Sequence, residues 1–575
     1  MLRLETPREG KQLFNELWES TIKRCIFPEG KGQLNNDQLV QYISRKVGIV
    51  LRDFPFRERL NLSADVKKTA TAIALREDGN LFFQPSSKAQ LLRATQYYNK
   101  SIAYAEKGSE ERALAYANRS SVCLQLRQYE DCLENIRLAR ESNCPERLLE
   151  KLERREAIAK AAMLKPTSET DDEEAVVEQL KLSYNCHANV PQMVECLQLR
   201  RNEEFGRHVV TNRQLRAGDV VIIEKPFASM TSEEFHFWRC DHCHDINLFN
   251  LIPCEGCTMA MYCSEECLSK AHQQYHRYEC AVLRDLWRIS DNLDRAMVGL
   301  RTVAKVIALF DHDLDALKEH LDGLDESKVN AFTMDWRTAT PKDVYNTVHV
   351  LSTNQTLRSR KDLTLQIFFA TIIHQLMLER TELGAICATS AERSKLLFDL
   401  ILRHCQTSQV SCSSLDVGET SFLHGFAADT LIHANFPLIG MLNHSCVPNV
   451  ARIALHDGRC AVVALSPIAA GEQLFDSYDL YAHKHKTSQR LDILKEYYQF
   501  TCRCDACELA VDGDVYPNEE DVNIVRLLRG MKTNAEKVSE LISYLNTAGR
   551  CFSTLTLIIP QILLLHGLQL KYCPT

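Results

Sequence analysis

Residues 240–280 read CDHCHDINLFNLIPCEGCTMAMYCSEECLSKAHQQYHRYEC. This stretch, called the cysteine finger below, contains four closely spaced pairs of metal-binding side chains. The pairs are Cys240 and Cys243, Cys254 and Cys257, Cys263 and Cys267, and His276 and Cys280. Eight such ligands satisfy two tetrahedral zinc ions and leave no position for water, which is typical of structural sites. A segment this short has little hydrophobic core, so we expect its folding to be coupled to metal binding.

Four histidines in the finger could supply the eighth ligand. His276 lies four residues before Cys280, so both can face one side of a helical turn. We therefore favour His276, with His272, His242 and His244 as the alternatives.

A second cysteine group follows near residue 500. Cys502, Cys504 and Cys507 supply three ligands, and a tetrahedral zinc site needs a fourth. Cys446 is the available candidate, within the polar turn NHSCVPN at residues 443–449. Eleven cysteines and His276 then account for three zinc ions with no ligand left over.

The composition indicates a multidomain protein of the soluble globular class. The chain has 575 residues, 45% apolar and 25% charged, which suits about three or four domains. Its net charge of −8 argues against polyanion binding by bulk charge, so we predict no direct nucleic-acid binding. We recognise no secretory signal, and the 23 cysteines favour a reducing compartment, cytoplasm or nucleus or both. The apolar run 552–570 contains Pro560, and we expect a buried helical end there and no membrane association.

The pattern along the chain predicts a multidomain α+β fold. We expect strands at Gly206–Val210 and Val220–Glu224, with strands returning only near Ala451–Leu455 and Ala461–Leu465. A β-rich domain interrupted by the cysteine finger and by a helical insertion is the economical interpretation. The predicted regions are 1–65, a helical N-terminal segment; 66–165, helical repeats; 166–194, an acidic linker; 195–480, the split β-rich domain; 240–280, the cysteine finger; 281–430, the helical insertion; 481–510, the second cysteine motif; and 511–575, a short helical C-terminal region.

These motifs resemble known families. Helix pairs such as GNLFF at 79–83 and AYANR at 115–119 resemble tetratricopeptide repeats. The cysteine finger resembles a MYND zinc finger. That resemblance implies interleaved ligand sets, Cys240, Cys243, Cys263 and Cys267 for one ion and Cys254, Cys257, His276 and Cys280 for the other. NHSCVPN at 443–449, FDSYD at 475–479 and the later cysteines resemble a SET methyltransferase domain with its post-SET zinc motif. A SET domain split by a MYND finger is similar to the SMYD lysine methyltransferases, here to the repeat-bearing subfamily conventionally numbered four.

The resemblance implies an S-adenosylmethionine-dependent protein-lysine N-methyltransferase with three structural zinc ions. Its protein partners would bind through the MYND finger and the helical repeats, and we expect a monomer. The implied catalytic residues are Tyr478 and Tyr498. The implied cofactor-binding residues are Gly206, Arg207, His208, Asn443, His444, Tyr478 and Phe500, where Phe500 would pack on the adenine.

The sequence departs from the family pattern at three places. His208 replaces the second glycine of the first cofactor loop, and residues 405–409 (CQTSQ) do not align with the family's cofactor asparagine. The region after residue 510 is short, and its apolar end has no evident partner, which suggests a short form or an open substrate cleft. These features motivate an alternative function, a catalytically weak or inactive adaptor that recruits protein partners, for example in transcriptional regulation. A ubiquitin-ligase RING is disfavoured by the spacings within Cys263–Cys267 and His276–Cys280.

Overall fold

The computed structural model describes residues 36–53, 65–164, 180–289, 294–417, 429–455, 458–512, 534–548 and 557–572, with a few single residues between 12 and 19. The acidic run at 168–174 and most of the segment before residue 36 lie outside the described residues. Within them, helices and strands combine in a mixed α+β architecture, with a helical N-terminal region ahead of a β-containing domain. The predicted α+β class is confirmed at this level.

The described N-terminal region consists of helices, of which the last five pack successively on one another and the first packs on Arg360–Arg380 of the insertion. They are α1 (Asn36–Asp53), α2 (Thr69–Phe82), α3 (Lys88–Tyr104), α4 (Glu110–Gln125), α5 (Tyr129–Glu141) and α6 (Glu146–Met163). Ser87 and Ser109 cap α3 and α4 by accepting backbone N–H groups of their first turns. Gly79 permits the close crossing of α2 and α3, because a Cβ there would lie 2.6 Å from the ring of Tyr98.

The β-containing domain is built from several small sheets. Its strands are β1 (Leu197–Asn202), β2 (Gly206–Thr211), β3 (Val220–Glu224), β4 (Ala228–Thr231), β5 (Ile252–Pro253), β6 (Met261–Tyr262), β7 (Cys412–Val417), β8 (Asp429–Asn435), β9 (Asn443–His444), β10 (Val450–Ala454), β11 (Cys460–Ala464) and β12 (Phe475–Asp476). The sheet orders are β10–β11–β3, β4–β8–β7, β1–β2, β9–β12 and β5–β6. All pairs are antiparallel except β9 with β12, which run parallel.

The four predicted strands are confirmed as β2, β3, β10 and β11, but the expectation that strands return only near Ala451 is wrong. β7 and β8 come earlier, and β8 pairs with both β7 and β4, so that Ser414 and Met230 lie opposite His433 from its two sides. The CSSLDV sequence of β7 contains one β-branched residue. The residue preferences of this segment therefore do not favour a strand. Pairing with β8 and the burial of Leu415 stabilise it as one.

The helical insertion lies between the finger and β7. The finger itself contains α7 (Glu265–Ala271) and α8 (Arg277–Glu279), joined by a π-helical turn at His272–His276. The helices of the insertion are α9 (Leu283–Ile289), α10 (Asp294–Leu309), α11 (Leu314–Asp322), α12 (Pro341–His349), α13 (Arg360–Arg380), α14 (Leu383–Ala388) and α15 (Ala391–Ser411). α10 packs closely on α15, because a Cβ on Gly299 would lie 2.8 Å from the carbonyl oxygen of His404. This packing brings the start of α10 to the edge of the β-containing domain.

The C-terminal helices cover one face of the β10–β11–β3 sheet. After α16 (Thr487–Tyr497) and α17 (Asp505–Glu508) come α18 (Asn534–Ala548) and α19 (Ile558–Tyr572). Leu564 and Leu568 of α19 are buried in one core with Ile453 and Val463 of the sheet. The expectation that the apolar end has no partner is therefore wrong, and its prediction as a buried helical end is confirmed. Among the described residues, no helix combines the length and apolar character needed to cross a bilayer.

A buried carboxyl group ties the sheet to the segment before the NHSCVPN turn. The side chain of Glu224, at the end of β3, accepts the backbone N–H groups of Leu438 and Ile439, each at 2.9 Å. Burial raises the pKa of Glu224 to about 8, although both hydrogen bonds act in the opposite direction.

Candidate active site and metal centres

The described residues contain three groups of four side chains suited to a metal ion. They are Cys240, Cys243, Cys263 and Cys267; Cys254, Cys257, His276 and Cys280; and Cys446, Cys502, Cys504 and Cys507. Within each group the ligand atoms lie within 4.8 Å of one another. These are the interleaved sets that the family resemblance implied, together with the third set deduced from the ligand count.

The spacing of the sulfur atoms fits zinc. In a tetrahedral site with Zn–S bonds of about 2.3 Å, two sulfurs lie about 3.8 Å apart. The Sγ atoms of Cys243 and Cys263 are 3.7 Å apart, and those of Cys263 and Cys267 are 3.5 Å apart. The third group has a matching separation of 3.5 Å between Cys446 and Cys507. Thiolate donors with this spacing and no open coordination position could hold structural zinc ions.

The second group contains His276 and none of the alternative histidines. His276 Nε2 lies 3.6 Å from Cys257 Sγ and 3.3 Å from Cys254 Sγ, close to the separation of about 3.6 Å expected for nitrogen and sulfur ligands on one zinc ion. His244 bonds Ser229 and Thr231, and His242 contacts the Tyr275 hydroxyl. His272 Nε2 lies 3.7 Å from Cys254 Sγ but outside the four-ligand group.

A pocket lies where the insertion meets the segment just before the NHSCVPN turn and the segment around and after β12. The rings of Tyr478 and Tyr498 stack on its wall, with centroids 4.8 Å apart. The Tyr478 hydroxyl donates to the carbonyl oxygen of Leu442 at 3.1 Å. Burial raises the pKa of Tyr478, so its hydroxyl stays neutral near pH 7.

Four charged side chains also line the pocket, and two of them belong to the FDSYD motif. They are Arg295, Arg452, Asp476 and Asp479. Arg452 pairs with Asp476 at 2.9 Å and with Asp479 at 3.0 Å. Burial raises the pKa of Asp476 to about 6, even though Arg452 opposes that shift. Arg452 had a signal in the sequence, because it is the single charged residue in the apolar strand VARIA.

Arg295 reaches the pocket from the first turn of α10. Its Nη1 donates to the Tyr498 hydroxyl at 2.6 Å and to the carbonyl oxygen of Gln409 at 3.1 Å. Its guanidinium also lies 3.5 Å from Asp479. No motif marks Arg295, because its place depends on how the insertion folds over the domain.

The residues predicted to bind the cofactor converge beside this pocket. The Asn443 side chain donates to the carbonyl oxygens of Phe205 and Arg207, both at 3.1 Å, and so closes the turn before β2. Gly206 in this turn has a φ of +60°, which favours glycine, and a Cβ there would meet nothing within 4 Å. The turn therefore borders open space, as a backbone that approaches a ligand must.

His208 folds back on the same turn. Its Nδ1 lies 3.1 Å from the carbonyl oxygen of Gly206, and its ring packs edge-on against Phe205 with centroids 5.9 Å apart. The side chain is buried. His208, the residue at the position of the family's second glycine, is therefore held against Phe205 and Gly206.

His444 connects the aromatic cluster to the third metal group. Its Nδ1 accepts the backbone N–H of Tyr478 at 3.0 Å, and its Nε2 lies 3.3 Å from Cys446 Sγ. Its ring is 5.1 Å from Tyr478 and 6.2 Å from Phe500, centroid to centroid. Burial lowers the pKa of His444 to about 4, so the neutral ring can donate from Nε2 to the sulfur. The predicted residues Asn443, His444, Tyr478, Tyr498 and Phe500 thus form one connected cluster.

Comparisons with known proteins agree with this arrangement. The family model for the SET domain matches residues 206–479, which include Gly206, Asn443 and Tyr478. The chain is similar to protein-lysine N-methyltransferase SMYD4 of Danio rerio, with 23% identity over 523 residues that cover 79% of this chain and 68% of that protein. It is similar to human SMYD4, with 24% identity over 568 residues that cover 79% and 69%. It also resembles the histone-lysine N-methyltransferase ASHR1 of Arabidopsis thaliana, at 24% identity over 344 residues and 60% coverage of each chain.

Proposed function

Because the chain belongs to the SMYD family of SET-domain protein-lysine methyltransferases, we propose that its tyrosine pocket is where a lysine of a protein substrate is methylated. The observation that carries this proposal is the stacked pair Tyr478 and Tyr498, joined through His444 to Phe500 and to the turn at Gly206. S-adenosylmethionine supplies a methyl group bound to a positively charged sulfur. The turn around Gly206, the pair Asn443 and His444, and Phe500 would hold it.

The pocket favours the neutral amine that the reaction needs. A lysine ammonium must lose its proton before its nitrogen lone pair can attack. Removal from water and nearby positive charge both disfavour the charged form. Arg295 and Arg452 supply two positive charges, and their ion pairs neutralise Asp476 and Asp479, which would otherwise stabilise an ammonium.

The two tyrosines can then orient the amine. The hydrogen of the Tyr478 hydroxyl is donated to Leu442, so both lone pairs of its oxygen remain available. The Tyr498 oxygen accepts from Arg295 with one lone pair and retains the other. Each oxygen can accept an N–H group of the amine, which directs the nitrogen lone pair to the methyl carbon. The N–C bond forms as the C–S bond breaks, and the gain comes from positioning.

The three metal groups act as scaffold in this proposal. The third group fixes the chain that carries Phe500, two residues before Cys502, against the turn that carries His444. No ligand of the three groups lines the tyrosine pocket among the described residues. The zinc ions would shape the site and take no part in the transfer.

The test is methyl transfer from radiolabelled S-adenosylmethionine to protein and peptide arrays. Tyr478→Phe should lower turnover by about 100-fold or more, because a preorganised polar group is lost at the reacting atoms. Calorimetric affinity for S-adenosylmethionine should change little, since the backbone N–H that Tyr478 donates to His444 is kept. Tyr497→Phe is the matched control, because Tyr497 is next to Tyr498 in the chain but is exposed and does not line the pocket. Unchanged turnover in Tyr478→Phe would refute the role, and zinc-loaded, folded protein without cofactor affinity would favour the adaptor function.

We also propose that the finger is of the MYND type and the helical region of the tetratricopeptide type. The four interleaved ligand pairs support the first, and the close α2–α3 pairing at Gly79 supports the second. These two regions are our candidates for contacts with protein partners, in a monomer located in cytoplasm and nucleus. The cysteines that the structure describes form no disulfide, which suits those reducing compartments. Cell fractionation and light scattering test the location and the monomer.

A further inference from the structure

The helical repeats present a row of buried polar side chains to the cysteine finger. Asn99 of α3, Arg119 of α4 and Asn135 of α5 are all fully buried. Arg119 donates from Nη1 to the Asn99 side chain at 2.7 Å and from Nε to the Asn135 side chain at 2.6 Å. Fully buried polar groups need partners, and the side-chain amides of Asn99 and Asn135 and the Nη1 of Arg119 also donate to residues in or next to the finger.

The partners of this row are main-chain carbonyl oxygens. Asn99 Nδ2 donates to Phe237 at 2.9 Å and to Leu248 at 2.8 Å. Asn135 Nδ2 donates to Phe249 at 2.7 Å, and Arg119 Nη1 donates to Leu251 at 2.9 Å. The segment Phe237–Leu251, called the finger segment here, is thus bound mainly through its backbone. One of its side chains also takes part, because Asn250 Nδ2 donates to the Asp131 carboxylate. The accepting residues and the three donors are Phe237, Leu248, Phe249, Leu251, Asn99, Arg119 and Asn135.

A second contact holds the loop between two ligands of the second metal group. All three N–H groups of the Lys67 ammonium are used, on the carbonyl oxygens of Cys254 (2.5 Å), Cys257 (2.7 Å) and Ala103 (2.7 Å). Arg112 forms a two-bond ion pair with Glu255, at 2.6 and 2.9 Å. Residues of the helical region therefore bind this loop at both of its metal ligands, Cys254 and Cys257.

We propose that the inner face of the helical repeats is an internal receptor whose ligand is this chain's own finger segment. The repeats and the finger then form one unit, and the Lys67 contact helps to retain the second metal group. The inner face is closed to an external peptide while the finger segment occupies it. Protein partners must use other faces of the two regions, or displace the finger segment.

The first experiment measures zinc release and amide hydrogen exchange in the full-length protein. Lys67→Met keeps the side-chain length and removes the three hydrogen bonds. We expect one of the three zinc equivalents to pass to a chelator about 10-fold faster, with faster amide exchange in the loop 254–258, while the other two equivalents are unchanged. Lys160→Met is the control, since Lys160 is exposed and pairs only across one helical turn with Glu156 in the described contacts. A folded Lys67→Met protein with unchanged release and exchange would overturn the proposal.

A second measurement uses the wild-type protein and does not depend on the variant folding. Amides of α3–α5 and of the finger segment should open together as denaturant is raised, because they form one unit. A fluorescent peptide of residues 245–253 (DINLFNLIP), which contains no cysteine, should not bind the intact protein. Separate opening of the two regions, or peptide binding while the finger segment stays protected, would refute the internal receptor.

Discussion

Replacing Arg295 by methionine tests how the helical insertion contributes to methyl transfer. The change keeps a long side chain but removes the 2.6 Å hydrogen bond to the Tyr498 hydroxyl and the positive charge beside Asp479. A hydrogen bond from a charged group contributes about 1.5–3 kcal/mol. If this hydrogen bond keeps the Tyr498 hydroxyl in place for the reaction, its loss raises the activation free energy by a similar amount. Turnover should then fall by about 10–100-fold, since each 1.4 kcal/mol changes a rate tenfold.

The same variant should shift the pH dependence. With an effective dielectric constant of about 40, a cation about 6 Å from the substrate amine changes its energy by about 1.4 kcal/mol, which equals about one pKa unit. Removing a neighbouring positive charge stabilises the ammonium, so the amine pKa rises. The acid limb of turnover against pH should therefore move about one unit to higher pH.

The assay is steady-state methyl transfer between pH 7 and 10 with a substrate found on the arrays. Arg295→Lys retains the charge and should restore the pH profile more fully than the rate, because an ammonium does not reproduce the guanidinium geometry. Arg393→Met is the matched control, an arginine of the same insertion that pairs with Asp315 and does not line the pocket. A wild-type rate and pH profile in Arg295→Met would refute the reasoning.

Three further predictions concern the scaffold. Cys446→Ser should lower bound zinc from three equivalents to two by elemental analysis, and retention of three would contradict the third ligand group. Glu224→Gln should flatten the pH dependence of stability. The pKa of Glu224 is raised to about 8 in the folded protein against about 4.3 unfolded, so its contribution to stability is lost as the pH rises through 8. Denaturant unfolding between pH 6.5 and 8.5 should show a decline of up to about 1.4 kcal/mol per pH unit in the wild type, and an equal decline in the variant would argue against this role. Leu564→Ala should cost about 2–4 kcal/mol of unfolding free energy if α19 covers the sheet, whereas Leu81→Ala, at a residue 77% exposed, should cost little.

The metal ligands and the centre of the pocket could be predicted from the sequence. Cysteine pairs at short spacing are local features whose chemistry permits few other uses. Cys254 and Cys257 are recognisable as a pair whatever the surrounding fold. Tyr478 and His444 lie in short motifs, so the family resemblance was enough to predict them. In the structure the centroids of their rings are 5.1 Å apart.

Strands β4, β7 and β8 could not be predicted, because their stability comes from pairing with distant segments. β7 is a strand since β8 lies beside it, and Ala228 of β4 pairs with Asn435 across more than 200 residues of chain. The partner of the apolar C-terminal helix was likewise hidden, since the face of the sheet it covers is assembled from β3, β10 and β11. Such contacts depend on three-dimensional position, which residue preferences do not encode.

The sequence by itself determined which side chains can bind a metal ion and which motifs meet at the turn around Gly206, because those features depend on residue type and short spacing. Only the tertiary structure decided that Arg295 reaches Tyr498 and that Asn99 and Arg119 bind the finger segment. An arginine or asparagine has no distinctive chemistry until the fold places a particular oxygen atom within hydrogen-bonding distance of it. Here those oxygen atoms belong to residues more than 100 positions away in the chain.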